Sequence, residues 1–584
     1  MRIFRAFVVL VILSACARQA PPPGGPEDRT PPRMLAATPE QNATRVPVST
    51  RPQFTFSEKI DRVSFEGAFF VSPPVQGEKK IRFRWRGKQV EVIFPDSLYA
   101  PRTYVITIGT DVRDLHGNRL ASAFSLAFST GDSIDAGEIR GKIFHDKPAG
   151  VLIMAYVLSP AHEPNPAVDF ADYLTQVGEQ GDFSLSHLND GKYRIFALDD
   201  RSSDRLYNHG EEPIGVASQD IVLAPAHRAH RNLNLRLALA DTIQPRLISV
   251  TATDQAHLEL NFDEETAPVD SIWRRHLRLA GVTGDSLKIL AAISHPLNAR
   301  QIHLLTSQQQ VTTYKVFAAQ IVDAAGNQLD SLSRQTEFTG NAKPDTSRPR
   351  LVKLTPADSS RNVAVTATVE MIFSEIMVNA SALVDISQRL TSHSRPLAVQ
   401  DSSGKPVKGK GKWLNPFQFR FQPDALLKSR AKYAVKILSD STFDASGNAL
   451  FDTLNQITFW TMNADTLTAI SGTIVEAQPD ATGTVHLTLK QVGAYTSSTL
   501  GSAPAAARPG PEYSMILPAP GPYRFDHILP GLYQLRGFRD ANKNGRYDFG
   551  AAFPFVPAER FVVWPDTMKV RSRWPNEGND FVLP

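Results

Sequence analysis

The pattern Asp-x-x-Gly-Asn occurs three times in this 584-residue chain, as Asp114-Leu-His-Gly-Asn118, Asp323-Ala-Ala-Gly-Asn327 and Asp444-Ala-Ser-Gly-Asn448. A motif that recurs in the same setting constrains a fold more than any single segment, because it reports a repeated structural unit. Upstream of each lies an alternating run with tyrosine near its start: Tyr104-Val-Ile-Thr-Ile108, Tyr314-Lys-Val-Phe317 and Tyr433-Ala-Val-Lys-Ile437. Downstream, each closes on Phe128-Ser-Thr-Gly131, Phe338-Thr-Gly340 or Phe459-Trp-Thr461. The first copy opens with Pro31-Pro-Arg-Met-Leu35, Asn42-Ala-Thr-Arg-Val-Pro47 and Phe54-Thr-Phe-Ser-Glu58, and the third with Pro349-Arg-Leu351, Arg361-Asn-Val363 and Met371-Ile-Phe-Ser-Glu375. The second keeps Pro245-Arg-Leu247 and Leu260-Asn-Phe-Asp263 but lacks the Asn-x-x-x-Val-Pro piece, so it is degenerate. Period-two strands separated by Asp/Asn/Gly turns predict antiparallel β-sandwiches. In Asp-x-x-Gly-Asn the glycine is expected to take the positive φ of a tight turn while Asp and Asn bond their own backbone; calcium binding there is the alternative.

These units resemble the bacterial Ig-like domain of S-layer proteins and Bacteroidota surface lipoproteins. The resemblance implies a fold and a role as spacer or binding module, not a chemistry. A second repeat lies between and after them. Phe183-Ser-Leu185, Leu188, Gly191-Lys-Tyr193, Asp200, Tyr207 and Gly210 correspond at a constant offset of 340 to Tyr523-Arg-Phe525, Ile528, Gly531-Leu-Tyr533, Asp540, Tyr547 and Gly550. Each copy begins with a strand built around glycine, Gly137-Glu-Ile-Arg-Gly-Lys-Ile143 and Ile470-Ser-Gly-Thr-Ile474. This pattern resembles the transthyretin-like or carboxypeptidase-regulatory-like β-sandwich.

The N-terminus carries Arg2 and Arg5, the apolar run Ala6 to Leu13, and then Leu13-Ser14-Ala15-Cys16, which holds the single cysteine of the chain. The basic start, short apolar stretch and small residues are those of a secretory signal. With cysteine at +1 the segment resembles the lipobox of a bacterial lipoprotein precursor. That resemblance implies removal of Met1 to Ala15 and lipidation of Cys16; an ordinary secretory signal is the alternative. Two or more acyl chains make release from a membrane very slow. Ala17 and Arg18 follow where, by the enterobacterial rule, an aspartate would retain the protein in the inner membrane, so outer membrane is the expected location, on either face. Arg18 to Pro32 is proline-rich and reads as a semi-stiff spacer.

The expected fold class is therefore all-β: tandem antiparallel sandwiches after a signal peptide and a proline-rich tether. The expected order is signal peptide 1–15, lipidated cysteine and tether 16–30, Ig-like 31–132, transthyretin-like 133–241, degenerate Ig-like 242–342, Ig-like 343–464 and transthyretin-like 465–584. Without cysteine pairs each sandwich must be held by its own apolar core. A net charge of +4, from 63 basic and 59 acidic residues, is nearly balanced and argues against nucleic-acid binding.

Candidate chemistry is sparse. Asp540-Ala-Asn-Lys-Asn-Gly-Arg-Tyr-Asp548 places oxygens at alternate positions with glycine at the sixth, like the start of an EF-hand calcium loop. Asp540, Asn542, Asn544 and Asp548 would supply side chains and Arg546 its backbone carbonyl. Ala551 stands where that motif wants a bidentate glutamate, so calcium would bind weakly. A hydrogen-bonded turn is the alternative, and the paired loop, Asp200 to Asn208, has serine at its third position and Arg205 in place of the glycine. No His-Glu-x-x-His, Gly-x-Ser-x-Gly or Walker sequence is present, and the 14 histidines are scattered, so the expectation is no enzyme. Lys405, Lys408, Lys410 and Lys412, spaced by glycines before Trp413, read as a flexible hairpin, with contact to an anionic glycan as an alternative role. Trp413, Trp564 and Trp574 are core residues or sugar-stacking platforms. The expected function is a non-catalytic cell-envelope lipoprotein, a spacer or scaffold with the membrane and a glycan or envelope protein as partners. The runner-up is an accessory subunit of an envelope enzyme or an assembly factor for secretion or motility machinery.

Overall fold

The computed structural model describes residues 28–75, 80–268, 276–281, 286–319, 321–377, 396–451, 455–476, 482–493 and 511–584. Cys16, the signal segment and most of the tether lie outside the described residues. The described chain is almost all β and forms tandem antiparallel sandwiches. No helix among the described residues is long and apolar enough to cross a membrane.

Alternation explains the pairing of sheets. In the first Ig-like sandwich the strands Met34–Thr38, Gln53–Phe56, Gln89–Ile93 and Arg82–Arg86 form one sheet in that order. Phe69–Ser72, Thr103–Ile108 and Phe124–Ser129 form the other. Phe54 and Phe56 turn inward at every second position and meet Tyr104, Ile106 and Phe128 from the facing sheet. A short helix, Arg62–Gly67, adds Phe65 to this core; Asp61 caps it by accepting from Ser64 N at 2.8 Å.

The third Ig-like sandwich repeats the plan. Leu351–Thr355, Val369–Phe373, Gln418–Pro423 and Gly409–Asn415 face Ser360–Val363, Gln456–Thr461, Lys432–Ile437 and Leu397–Asp401. The second, though degenerate in sequence, also has two four-stranded sheets, and what it lacks is local. In the first copy Ala43 bridges Phe128 in parallel, and in the third Ser360–Val363 runs parallel to Gln456–Thr461. The missing Asn-x-x-x-Val-Pro piece is this parallel contact, and no counterpart occurs among the described residues of the second copy.

The recurring tyrosine and phenylalanine meet across the last two strands of each of the three large sandwiches. Tyr104 stacks on Phe128 at 5.9 Å, Tyr314 on Phe338 at 5.5 Å and Tyr433 on Phe459 at 5.5 Å. Each hydroxyl also accepts a backbone N–H from just upstream, from Tyr99 at 2.8 Å, Gln310 at 3.2 Å and Lys428 at 2.8 Å. The same pair thus fills the core and ties down the loop entering the strand.

The two smaller sandwiches match strand for strand. Asp182–Leu188 and Pro522–Ile528 stand at an offset of 340, with His187 and His527 both at φ 60°. Tyr193 and Tyr533 each donate a hydroxyl proton at 2.8 Å to a carbonyl four residues earlier, Asn189 O and Leu529 O. In both, the final strand closes parallel to the first: Ala229–Arg236 on Gly137–Phe144, and Phe581–Leu583 on Thr468–Glu476. Ile221 and Met568 then pair with Tyr193 and Tyr533, an offset of 347, so the second copy carries seven extra residues after Gly550.

The chain divides into two compact units. The first comprises the described residues up to Asn208 with Glu212–Ala238 and Asp548–Ala558; the second comprises His209–Glu211, Leu239–Tyr547 and Glu559–Pro584. In the first unit Phe555 packs edge-on to Phe196 at 6.3 Å, with the Arg194 guanidinium 3.6 Å from its ring centre.

Candidate functional site

The Asp540 loop closes on its own amides. Asp540 is buried; its Oδ1 accepts from Asn544 N at 3.1 Å and its Oδ2 from Gly545 N at 2.8 Å, with His486 Nε2 3.1 Å from the same Oδ2. Asn542 Oδ1 accepts from Asn544 N at 3.0 Å, and Asn544 Oδ1 from Arg546 N at 2.7 Å. Asp540 to Arg546 lie in the second unit and Asp548 in the first. The paired loop has the same closure: Asp200 Oδ1 accepts from Ser203 N at 2.8 Å, Asp200 Oδ2 from Arg205 N at 3.0 Å, and Asp204 Oδ1 from Leu206 N at 2.8 Å. Arg205 holds φ 65° where Gly545 holds 77°. Glu212 and Glu559 brace the two loops alike, accepting from Arg201 N at 2.8 Å and Ala541 N at 2.7 Å. A loop with poorer metal donors thus keeps the shape of the better one, and in both the first aspartate accepts N–H groups of its own loop.

The Asp-x-x-Gly-Asn motifs are such turns too. Asp114 Oδ1 accepts from His116 N at 2.8 Å and Asn118 N at 2.9 Å, and Gly117, Gly326 and Gly447 all take φ between 91° and 93°. Each motif does more than turn the chain. Asn118, Asn327 and Asn448 donate their side-chain amide to the carbonyls of Asp28, Asp241 and Asp345, at 2.9, 2.9 and 3.3 Å, which fastens the segment entering the domain.

This fastening gathers carboxyl groups. Asp28, Glu58 and Asp114 with His116, then Asp241, Glu264 and Asp323, then Asp345, Glu375 and Asp444, each converge with side-chain atoms within 4.8 Å of one another. Like charges so close raise one another's pKa unless a proton or a cation neutralises them. Burial first, then the neighbouring aspartates, pushes Glu58 and Glu264 up, and Glu375 up to about 7. The motif reading reached only the turn aspartates. The missed partners do carry a signal: Asp28, Asp241 and Asp345 each stand four residues before a Pro-Arg pair, and Glu58, Glu264 and Glu375 each stand two residues past the end of a strand.

The lysine run is not a flexible hairpin. Gly409–Asn415 is an edge strand paired with Gln418–Pro423. Gly409 and Gly411 face inward because a Cβ there would run into the Phe421 and Phe419 rings, and Lys408, Lys410 and Lys412 are left exposed on the other face. Trp413 is buried beside Phe419 at 5.3 Å, Trp564 packs partly buried against Phe581, and Trp574 is 73% exposed.

No curated protein matches the chain. Among solved structures it is similar to domains 1–6 of the surface-layer protein SbsC, at 8% identity over 93% of this chain and 68% of that one, with a TM-score of 0.17. It is also similar to L,D-transpeptidase LdtMt1, at 13% identity over 25% of this chain and a TM-score of 0.16. L,D-transpeptidase 3 from Mycobacterium tuberculosis matches at 16% identity over 22% of this chain, with a TM-score of 0.13. The match spans 62% and 40% of the two transpeptidase chains, less than two thirds of their length. Likeness at this level says nothing about activity. Two segments match a family model directly: residues 28–130 and 345–461, the first and third large sandwiches, match the bacterial Ig-like domain.

Proposed function

We propose that this protein is a non-catalytic, lipid-anchored module of the bacterial outer membrane that holds a binding surface away from the lipid and presents it to an anionic envelope glycan. The anchor is Cys16 in its lipobox setting, the spacer is the proline-rich tether, and the presenting body is the series of Ig-like and transthyretin-like sandwiches. The observation that carries the reading is the run of exposed Lys408, just before an edge strand of the third Ig-like domain, and Lys410 and Lys412 within it. Three exposed cations at a period of two repeat about every 6.8 Å, a spacing that suits an extended polyanion. The polar loops that first suggested chemistry support the reading as well, since their oxygens are engaged in closing turns.

Binding of the full protein to immobilised lipopolysaccharide and acidic capsular polysaccharide tests this. Wild type is expected to bind and to weaken as salt is raised, and K408E/K410E/K412E to lose at least tenfold in affinity. Equal binding by wild type and the triple variant would remove the lysine run from the function. Turnover of a polysaccharide by the purified protein would remove the non-catalytic reading.

A further inference from the structure

Within the second unit, the second and third Ig-like domains meet through an apolar contact flanked by a charged one. Ala291, Ile293 and Leu305 pack with Ile376 and Phe417. The Phe417 ring lies 5.4 Å from His295 and 5.0 Å from His303. Gln255 N donates to Lys343 O at 2.8 Å and so joins the turn of one domain to the segment leading into the next. Beside this contact Asp254 and His257 of the second domain converge with Asp345 of the linking segment, which also meets Glu375 and Asp444 of the third. Asp254 and Asp444 are buried, and His257 Nδ1 lies 2.8 Å from Asp254 Oδ2. Two acidic clusters that share Asp345 therefore meet at a junction that also buries a phenylalanine.

We infer that this junction is a proton-gated joint, held closed when Glu375 and His257 carry protons and loosened when they release them. The groups facing Glu375 are Asp345 and Asp444 from its own domain and linker, and His257 and Asp254 from the domain opposite. With every carboxyl ionised, repulsion within the cluster opposes the apolar contact, and a proton on Glu375 relieves its share.

The titration runs in one direction. Burial, then Asp345 and Asp444, lifts Glu375 from 4.5 to about 7, so between those values the closed joint holds a proton that an open one releases. Closure therefore weakens as pH rises through 7. His257 acts in the same sense: burial opposes its charge, but Asp254, Asp345 and Glu375 hold it above its ordinary value, and its contribution is lost on the same rise. Burial followed by its histidine neighbours pushes His303 down to about 4, and burial lowers His295, so neither gains charge in this window. Asp254 is held low by His257 and adjacent amides despite its burial, and opposes closure only at pH values below the usual carboxylate range.

Hydrogen exchange of the full-length protein in detergent, expressed as protection factors at pH 6 and pH 8, tests the joint. Peptides covering 253–257, 291–305 and 415–418 should lose about tenfold in protection between the two pH values, while 103–108 in the first domain does not change. E375Q should reduce that dependence to the part His257 contributes and at pH 8 should be better protected than the wild type at pH 8. F417A should lower protection of the same peptides at both pH values; no change would show that the junction is not held there. An unaltered pH dependence in E375Q overturns the proposal. Restoration of pH 6 protection at pH 8 by millimolar calcium overturns it too, because a cation and not a proton would then be the gate.

Discussion

Single residues in this chain carry two tasks where one was expected. The asparagine that ends each Asp-x-x-Gly-Asn turn also binds the incoming segment, and the tyrosine of the preceding strand both stacks on phenylalanine and secures its own entry loop. The Asp540 carboxylate holds its own loop through amides. Its oxygens already accept two loop N–H groups, and Asp200 does the same with serine and arginine around it. We therefore expect Asp540→Ala to cost about 1–3 kcal/mol through unpaired buried donors. The loss should be the same in calcium and in chelator when unfolding is followed by temperature. A loss confined to calcium-loaded protein would establish the metal reading. The residue types of this loop were legible in the sequence, but whether their oxygens faced a cation or an amide depended on the course of the backbone.

Strands were legible wherever inward residues alternate with outward ones, as in Gln53–Phe56 and Lys432–Ile437. The glycine-spaced lysines misled because glycine is as good a signal of close packing as of a turn. Gly409→Val should therefore destabilise the third Ig-like domain by about 1–3 kcal/mol by overpacking against Phe421. Lys410→Ala on the opposite face should change stability by less than about 0.5 kcal/mol. A thermal melt of the two variants distinguishes an ordered edge strand from a loop: equal, negligible shifts would return the segment to the hairpin reading. The constant offset of 340 survived as matched strands, bulges and tyrosine bonds as far as Gly550. Its break to 347 marks the added residues that place Phe555 in the first unit, beside Phe196 and Arg194.

At the scale of the whole molecule, the anchor and the sandwiches are separate propositions. If Cys16 holds the protein by lipid, Cys16→Ser should move it from the membrane fraction to the soluble fraction with unchanged β-sheet circular dichroism; membrane retention of that variant would end the lipoprotein reading. The repeats, the alternation and the single cysteine were enough, by themselves, to determine an all-β chain of cores held by apolar packing, because strand period and turn chemistry are local properties. The convergence of Asp345, Glu375 and Asp444 with Asp254 and His257 was not local. Those five groups come from four separate stretches of chain, and only sheet register and domain packing bring their charges within range of one another. Separation in sequence places no bound on electrostatic coupling, whereas distance in the folded molecule sets it.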